Sequence, residues 1–371
     1  MPSALFSPAT LRGLTLPNRV VVSPMCQYNS ENGSATDWHL MHLGQFSLGA
    51  GALVMTEATN VNRVGRISLK CATLCSDENE AALKRVIEFC RKYGVAKHGL
   101  QLGHAGRKGS THPPAAGGKP LKPEEGAWET VAPSALPFAP DWHTPRALTK
   151  QEIDSLKGDF VASVKRAERI GYDLVELHAG HGYLLHQFLS PISNRRTDEY
   201  GGSLENRMHL VLETFAAMRA AWPADKPMGA RVSATDWVEG GWTPEDTVVL
   251  ARELKKLGCD YLDCSSGALD PRQQLPLKAG YQVPFAEKVR REAGIATMTV
   301  GLITGARQAE EIIASGKADF ICLARGAMWD PRWAWHAAEE LGAETPYAPK
   351  TMPCHPSLRP QVFPNRQKTA A

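Results

Sequence analysis

His178, His181 and Tyr183 stand in one short stretch, Asp173-Leu-Val-Glu-Leu-His178-Ala-Gly-His181-Gly-Tyr183. Two imidazoles and a phenol so placed can bind a small molecule and protonate it. The same His-x-x-His spacing also suits two metal ligands or a structural turn, so it does not decide between them. Its position narrows the choice. The apolar run ends at Leu177 and the polar groups follow at once, which in a parallel α/β protein marks the carboxyl end of a strand, where ligands bind.

Other strand-like runs end in residues of the same kind. The first closes on Ser23-Pro24-Met25-Cys26-Gln27-Tyr28, the second on Glu57-Ala58, the third on Gln101-Leu-Gly-His104, the fifth at Arg231, the seventh at Gly301 and the eighth at Ala324-Arg325. A glycine after the seventh run and an Ala-Arg turn after the eighth fall where many barrels hold a phosphate, so an anionic cofactor is implied. Arg231 at a strand end needs an acidic partner or an anionic ligand. No acidic neighbour is obvious in its own stretch.

The elements that must position these groups repeat. Strands are expected at 20–23, 52–56, 97–102, 173–177, 228–232, 260–264, 297–300 and 319–323, with helices at 38–49, 77–93, 150–170, 204–221, 244–257, 282–293, 305–315 and 331–341. Thr149 before Glu152 and Thr243-Pro244-Glu-Asp246 are helix-start signals, and Gly94, Gly171, Gly258 and Gly316 stand where helices should end. Eight βα units predict a closed (β/α)₈ TIM barrel over residues 1–345 rather than an open doubly wound sheet. The spacing breaks at 103–149, a Pro- and Gly-rich excursion expected to cap the barrel mouth, with 111–126 mobile. Residues 346–371 read as an irregular tail, either loose or packed on a neighbouring subunit.

Composition removes several function classes. A hydrophobic content of 43% with 22% charged residues is ordinary for a globular chain. The net charge of +3, without a basic block, gives no reason to expect nucleic acid. No run approaches a membrane span and no secretory signal is visible, so a cytoplasmic location is expected. Eight cysteines, at 26, 71, 75, 90, 259, 264, 322 and 354, are dispersed as reduced thiols would be. Only Cys26 stands at a strand end among candidate site residues.

Taken together, these segments resemble the old yellow enzyme family of FMN-dependent ene-reductases, and within it the bacterial branch related to xenobiotic reductase. The likeness rests on Asn18-Arg19, Ser23-Pro24-Met25-Cys26-Gln-Tyr28, Gln101-Leu-Gly-His-Ala-Gly-Arg107-Lys108, His178-Ala-Gly-His181-Gly-Tyr183, Phe188-Leu-Ser-Pro191, Asn194 to Ser203, Glu205-Asn-Arg207, Arg231-Val-Ser-Ala and Asp263-Cys-Ser-Ser-Gly267. It covers nearly the whole barrel. Cys26, where other branches carry Thr, indicates the branch.

The resemblance implies a tightly bound FMN, reduced by NADPH or NADH. Ser23, Pro24, Met25 and Cys26 would lie along the flavin with Ala58 nearby, and Gln101 would bond its pyrimidine edge. Arg231 would sit at the N1/C2 edge, where reduced flavin carries negative charge. Gly301, Ala324 and Arg325 would hold the phosphate, although the family usually has Gly where Ala324 stands. Cys26 would sit by N5 and tune the potential. His178 and His181 would bind the carbonyl oxygen of an activated alkene, Tyr183 would protonate Cα, and Tyr28 would contact substrate from the opposite side.

His104 and Lys108 match family positions and read as residues that position the capping loop. The tail departs from the branch's short arm, in which an Arg or Trp reaches a partner's site; Arg359 or Arg366 would take that part in a homo-oligomer, dimer or tetramer. Two rival readings are a metal-dependent hydrolase using His178 and His181, for which Glu57 is the available carboxylate, and a flavin- or phosphate-binding barrel without turnover. Long relatives carrying an iron–sulfur cluster are excluded by length and by the missing Cys cluster.

Overall fold

A computed structural model describes residues 2–49 and 51–358; Arg359 and Arg366 lie outside the described residues. Eight parallel strands close into a barrel: β1 (Val20–Val22), β2 (Leu53–Asn60), β3 (Lys97–Gly103), β4 (Leu174–Ala179), β5 (Met228–Ser233), β6 (Tyr261–Ser265), β7 (Ala296–Thr299) and β8 (Phe320–Leu323). Eight helices alternate with them: α1 (Asp37–Ser47), α2 (Asp77–Tyr93), α3 (Lys150–Ile170), α4 (Leu204–Ala221), α5 (Pro244–Lys256), α6 (Val283–Ala293), α7 (Ala306–Ala314) and α8 (Trp333–Glu340). The chain therefore has the TIM-barrel fold expected from its βα count. Among the described residues no helix is long and apolar enough to cross a membrane.

Local chemistry sets the bounds. Thr149 accepts from Glu152 N while the Glu152 carboxylate accepts from Thr149 N, a reciprocal cap, and α3 ends at Gly171 with φ +96°. Thr243 with Pro244 and Asp246 starts α5 in the same way. Gly94 ends α2 without a left-handed turn (φ −100°), contrary to the cap geometry its position suggested. A Cβ there would lie 2.5 Å from Ser47 O, so close packing is what requires glycine.

An aspartate precedes three of the strands. Asp173, Asp260 and Asp319 each accept, through Oδ2, the backbone N–H of a residue on the strand before (His98, Met228 and Thr297, at 2.9, 2.8 and 2.9 Å). This satisfies the amino end of the barrel. An antiparallel hairpin, Ala9–Leu11 with Leu14–Leu16, was not anticipated; its Leu11 and Leu16 join Leu53, Leu174, Tyr261 and Phe320 in a buried cluster. Arg12 ties it down through Asp260 and the carbonyls of Ala224 and Gly258.

The excursion between β3 and α3 contains short 3₁₀ turns and one pair of two-residue strands, Val131–Ala132 beside Arg146–Ala147. Within 111–126, His112 N bonds Lys119 O and Leu121 N bonds Ser110 O. The tail, expected to be irregular, forms a 3₁₀ helix at Pro349–Cys354, and Tyr347 stacks on Trp335 of α8 at 4.1 Å.

Candidate active site

Strand β4 runs two residues beyond the point where its apolar run ends. His178 is thus a strand residue, not part of the turn, and pairs in register with Arg231 of β5, which pairs in turn with Asp263 of β6. His181 follows with φ +55°, its N–H held by Ser233 Oγ at 2.8 Å. Gly182 (φ +70°) has no room for a Cβ, which would lie 2.1 Å from Ala268 O. This packed turn gathers the three rings: His178 lies 5.1 Å from His181 and 5.3 Å from Tyr183, centroid to centroid.

His178 Nε2 and His181 Nδ1 are 3.2 Å apart. Burial, and then Arg231, push both imidazoles well below the ordinary histidine range, so both are neutral near pH 7 and each carries one ring N–H. Burial, and then Cys26 and Tyr28, push the Tyr183 phenol well above its usual value, so it is a protonated donor throughout the working range. Tyr183, Tyr28 and Cys26 pack together against Ile67, Cys71 and Ala105.

The loop after β1 is set by Glu57. Its carboxylate accepts Gln27 N at 3.0 Å and faces His39 Nε2 at 3.1 Å, while His39 Nδ1 accepts Thr36 N. Strand β2 shifts register between Thr56 and Thr59, the irregularity that turns Glu57 and Ala58 toward this loop. Cys26 faces the Ala58 backbone, and its thiol is held well above the ordinary value by burial and then by Glu57. Glu57 is therefore a support for Cys26 and Tyr28 rather than a metal ligand. Among the described residues no group of three His, Cys, Asp or Glu is placed to hold a metal ion, which leaves the hydrolase reading without its ligand set.

Arg231 has the acidic partner that its place required, and it comes from the next strand: Asp263 Oδ2 lies 3.1 Å from Nε, and Nε and Nη2 also donate to Ser265 Oγ. Burial opposes its charge, but Asp263 and Glu176 hold the guanidinium above its ordinary value. Glu176 of β4 accepts from Gln101 Nε2 (2.8 Å) and from Tyr261 OH (3.1 Å), and burial with Asp263 pushes its carboxyl up. Two buried carboxylates thus stand against one guanidinium.

A cavity of about 230 Å³ joins His181 and Arg231 to Ser265, Gly301, Ala324 and Arg325. At Gly301 (φ +118°) a Cβ would fall 2.9 Å from Gln282 Nε2, so the chain passes close under the cavity there. Ala324 has φ −110° and ψ −90°, outside the left-handed region that favours glycine. Exposed Arg325 has its charge available to an anion. Ser23 Oγ, buried at the end of β1, has no partner beyond the weak one offered by the Cys322 thiol. Met25 packs on the main core, while Pro24 stands partly buried without a contact that ties it to the cavity. Ser266, from the Asp263-Cys-Ser-Ser-Gly267 segment, also lines the trough, as do Tyr281, Gln282 and Thr304, which were not singled out from the sequence because they lie beyond strand ends in stretches without a recognisable motif.

Polar groups at seven strand ends, a cavity reaching an exposed arginine and a neutral phenol beside two imidazoles gather at one end of the barrel. Comparison with known proteins gives them a class. Residues 4–344 match the NADH:flavin oxidoreductase / NADH oxidase family. An NADPH dehydrogenase of Geobacillus sp. (strain WCH70) is 44% identical over 92% of this chain and 96% of its own length, and one of Listeria innocua serovar 6a is 45% identical over 94% and 98%. Among solved structures, morphinone reductase superposes with TM-score 0.78 at 27% identity over 95% of this chain and 93% of that one. A 2-naphthoyl-CoA reductase complex superposes with TM-score 0.82 at 23% identity, and the chain spans about half of it (52%).

The chain belongs to this family, the old yellow enzyme family. It is an NAD(P)H-dependent FMN oxidoreductase acting on a small-molecule substrate.

Proposed function

We propose that the enzyme reduces the C=C bond of electron-poor alkenes, α,β-unsaturated carbonyl compounds above all, with quinones and nitro compounds as further acceptors. The observation that carries this reading is the single wall formed by His178, His181 and Tyr183 beside the Arg231 cavity. Bound FMN supplies the hydride that NADPH or NADH has given it.

The residues present suit such a group. Ser23 Oγ is a buried hydroxyl beside the weakly bonding Cys322 thiol, Gln101 gives its amide N–H to Glu176 and keeps Oε1 to accept the pyrimidine N–H, and Arg231 places positive charge at the N1/C2 edge. Gly301, Ala324 and Arg325 hold the phosphate. Pro24, Met25, Cys26 and Ala58 line the ring system. His178 and His181 donate to the substrate carbonyl oxygen, and their N–H groups strengthen as that oxygen gains charge. Tyr183 delivers the proton to Cα, and Tyr28 bounds the substrate on the other side.

Stopped-flow reoxidation tests the assignment. Tyr183→Phe enzyme should be reduced by NADPH at near the normal rate, reoxidised by cyclohexenone some ~10²–10⁴ more slowly, as for a lost general acid, and reoxidised by a quinone at speed. His178→Ala should instead weaken binding of a phenol that mimics the enolate. Equal slowing with both acceptors, or none, would remove Tyr183 from the role of acid.

A further inference from the structure

Lys108 takes no part in this scheme, yet its ammonium group is placed against the proton donor. Nζ donates to His181 O at 2.9 Å and to Ala268 O at 2.8 Å, and lies 5.1 Å from the Tyr183 ring centroid and 4.9 Å from that of Phe138. Both accepting residues have positive φ, +55° and +70°, and their turns follow β4 and β6. The carboxylates near the adjoining Arg107 are engaged elsewhere: Asp270 with Arg272 at 2.7 Å, and Asp236 beside His186 at 2.9 Å.

We propose that Lys108 is a positioning residue for the proton donor: it pins the turn carrying His181 and Tyr183 and supplies the positive charge against which the Tyr183 phenolate forms. This rests on the reading of Tyr183 as the acid. In that step the Tyr183 O–H bond breaks and a C–H bond forms at the substrate Cα. The negative charge of the enolate passes to the phenolate, which then recovers a proton from water. Burial among Cys26, Tyr28 and Cys71 makes this phenolate costly. A clamp would need only a donor, whereas a cation over the ring face lowers that cost directly.

The groups facing Lys108 set when it carries charge. They are Arg107 on its own turn and His178, His181 and Tyr183 from β4 and its turn. Burial, and then Arg107, push the amine down to about 7. The charge therefore fades as pH rises through neutrality.

The test compares wild type, Lys108→Met and Lys108→Arg holoenzymes in anaerobic reoxidation by cyclohexenone and by a quinone, from pH 5.5 to 9, with Tyr183→Phe alongside. A cation a few ångströms from a phenolate changes its acidity by about ten- to a hundredfold at protein-interior dielectrics. The alkene-to-quinone rate ratio should fall by at least about tenfold in wild type as pH rises through Lys108 titration. It should be low and flat in Lys108→Met, and stay high to alkaline pH in Lys108→Arg. Lysine ¹³Cε NMR of the wild-type holoenzyme, assigned by the signal lost in Lys108→Met, should show titration at the same midpoint.

A Lys108→Met enzyme that keeps the wild-type ratio, or slows with both acceptors alike, overturns the proposal, as does a Lys108 signal that titrates at the ordinary lysine value. If Tyr183→Phe itself leaves alkene reduction intact, it is the assignment of the acid that fails, not the linkage of Lys108 to it.

Discussion

Asp263→Asn separates the charge at Arg231 from the charge that neutralises it. The substitution is nearly isosteric, and Asp263 Oδ1 has no hydrogen-bond partner to lose. Asp263 is 3.1 Å from the Arg231 guanidinium, and Glu176 remains as a second buried counter-charge, so Arg231 is not left alone in the barrel. Removing one buried negative charge from beside the guanidinium that would face the flavin favours the anionic reduced cofactor by on the order of 1–2 kcal/mol at an effective dielectric of about 20. For a two-electron couple this raises the potential by roughly 20–45 mV. Arg231→Met should move it the other way and weaken FMN retention. The shift in Asp263→Asn has a pH signature. Burial and Asp263 hold the Glu176 carboxyl above its ordinary value, so at lower pH the wild-type cluster already carries a proton and the two proteins converge, while at higher pH they diverge. Equilibration with reference dyes across this range measures it. Shifts of the same sign in Asp263→Asn and Arg231→Met, or none in either, would show that this cluster does not face the flavin.

Cys26→Ala, which removes the thiol facing the Ala58 backbone, should shift the flavin potential and alter both half-reactions with the fold intact; an unchanged potential would make Cys26 a packing residue. His98 is buried with Nδ1 unpartnered, and burial lowers it to about 4. Its folded value lies below the unfolded one, so the stability it permits is full above about 6.5 and is lost as pH falls toward 4, costing about 2 kcal/mol by pH 5. Chemical denaturation at pH 8 and pH 5 should show this loss, and His98→Gln should reduce it.

Helices were legible because their ends are chemical. Thr149 with Glu152 and Thr243 with Asp246 each satisfy free backbone donors through a local side chain, so the starts of α3 and α5 follow from neighbours in sequence. Strand ends were legible only where polarity coincides with the end of pairing. At β4 it does not: His178 is polar yet paired, because the site begins inside the sheet. The hairpin at 9–16 was missed for a related reason, since three-residue strands carry too little periodicity to read.

What could not be read along the chain is register. Glu176, Arg231 and Asp263 lie on consecutive strands β4, β5 and β6, and only the pairing of His178 with Arg231 and of Arg231 with Asp263 brings them together. A signal was nonetheless present. Glu176 and Asp263 are acids inside otherwise apolar runs, and a carboxylate is kept in such a place only with a partner or a ligand to answer it. Two such acids on strands flanking a buried arginine define a charge cluster before any distance is known. On the proposed placement of the cofactor, it is this cluster, rather than the arginine alone, that sets how strongly the barrel favours an anion above it. Arg231 by itself would bind an anionic cofactor in every redox state. With Asp263 and Glu176 behind it, much of its charge is already answered, so the balance is left sensitive to the one additional negative charge that reduction brings.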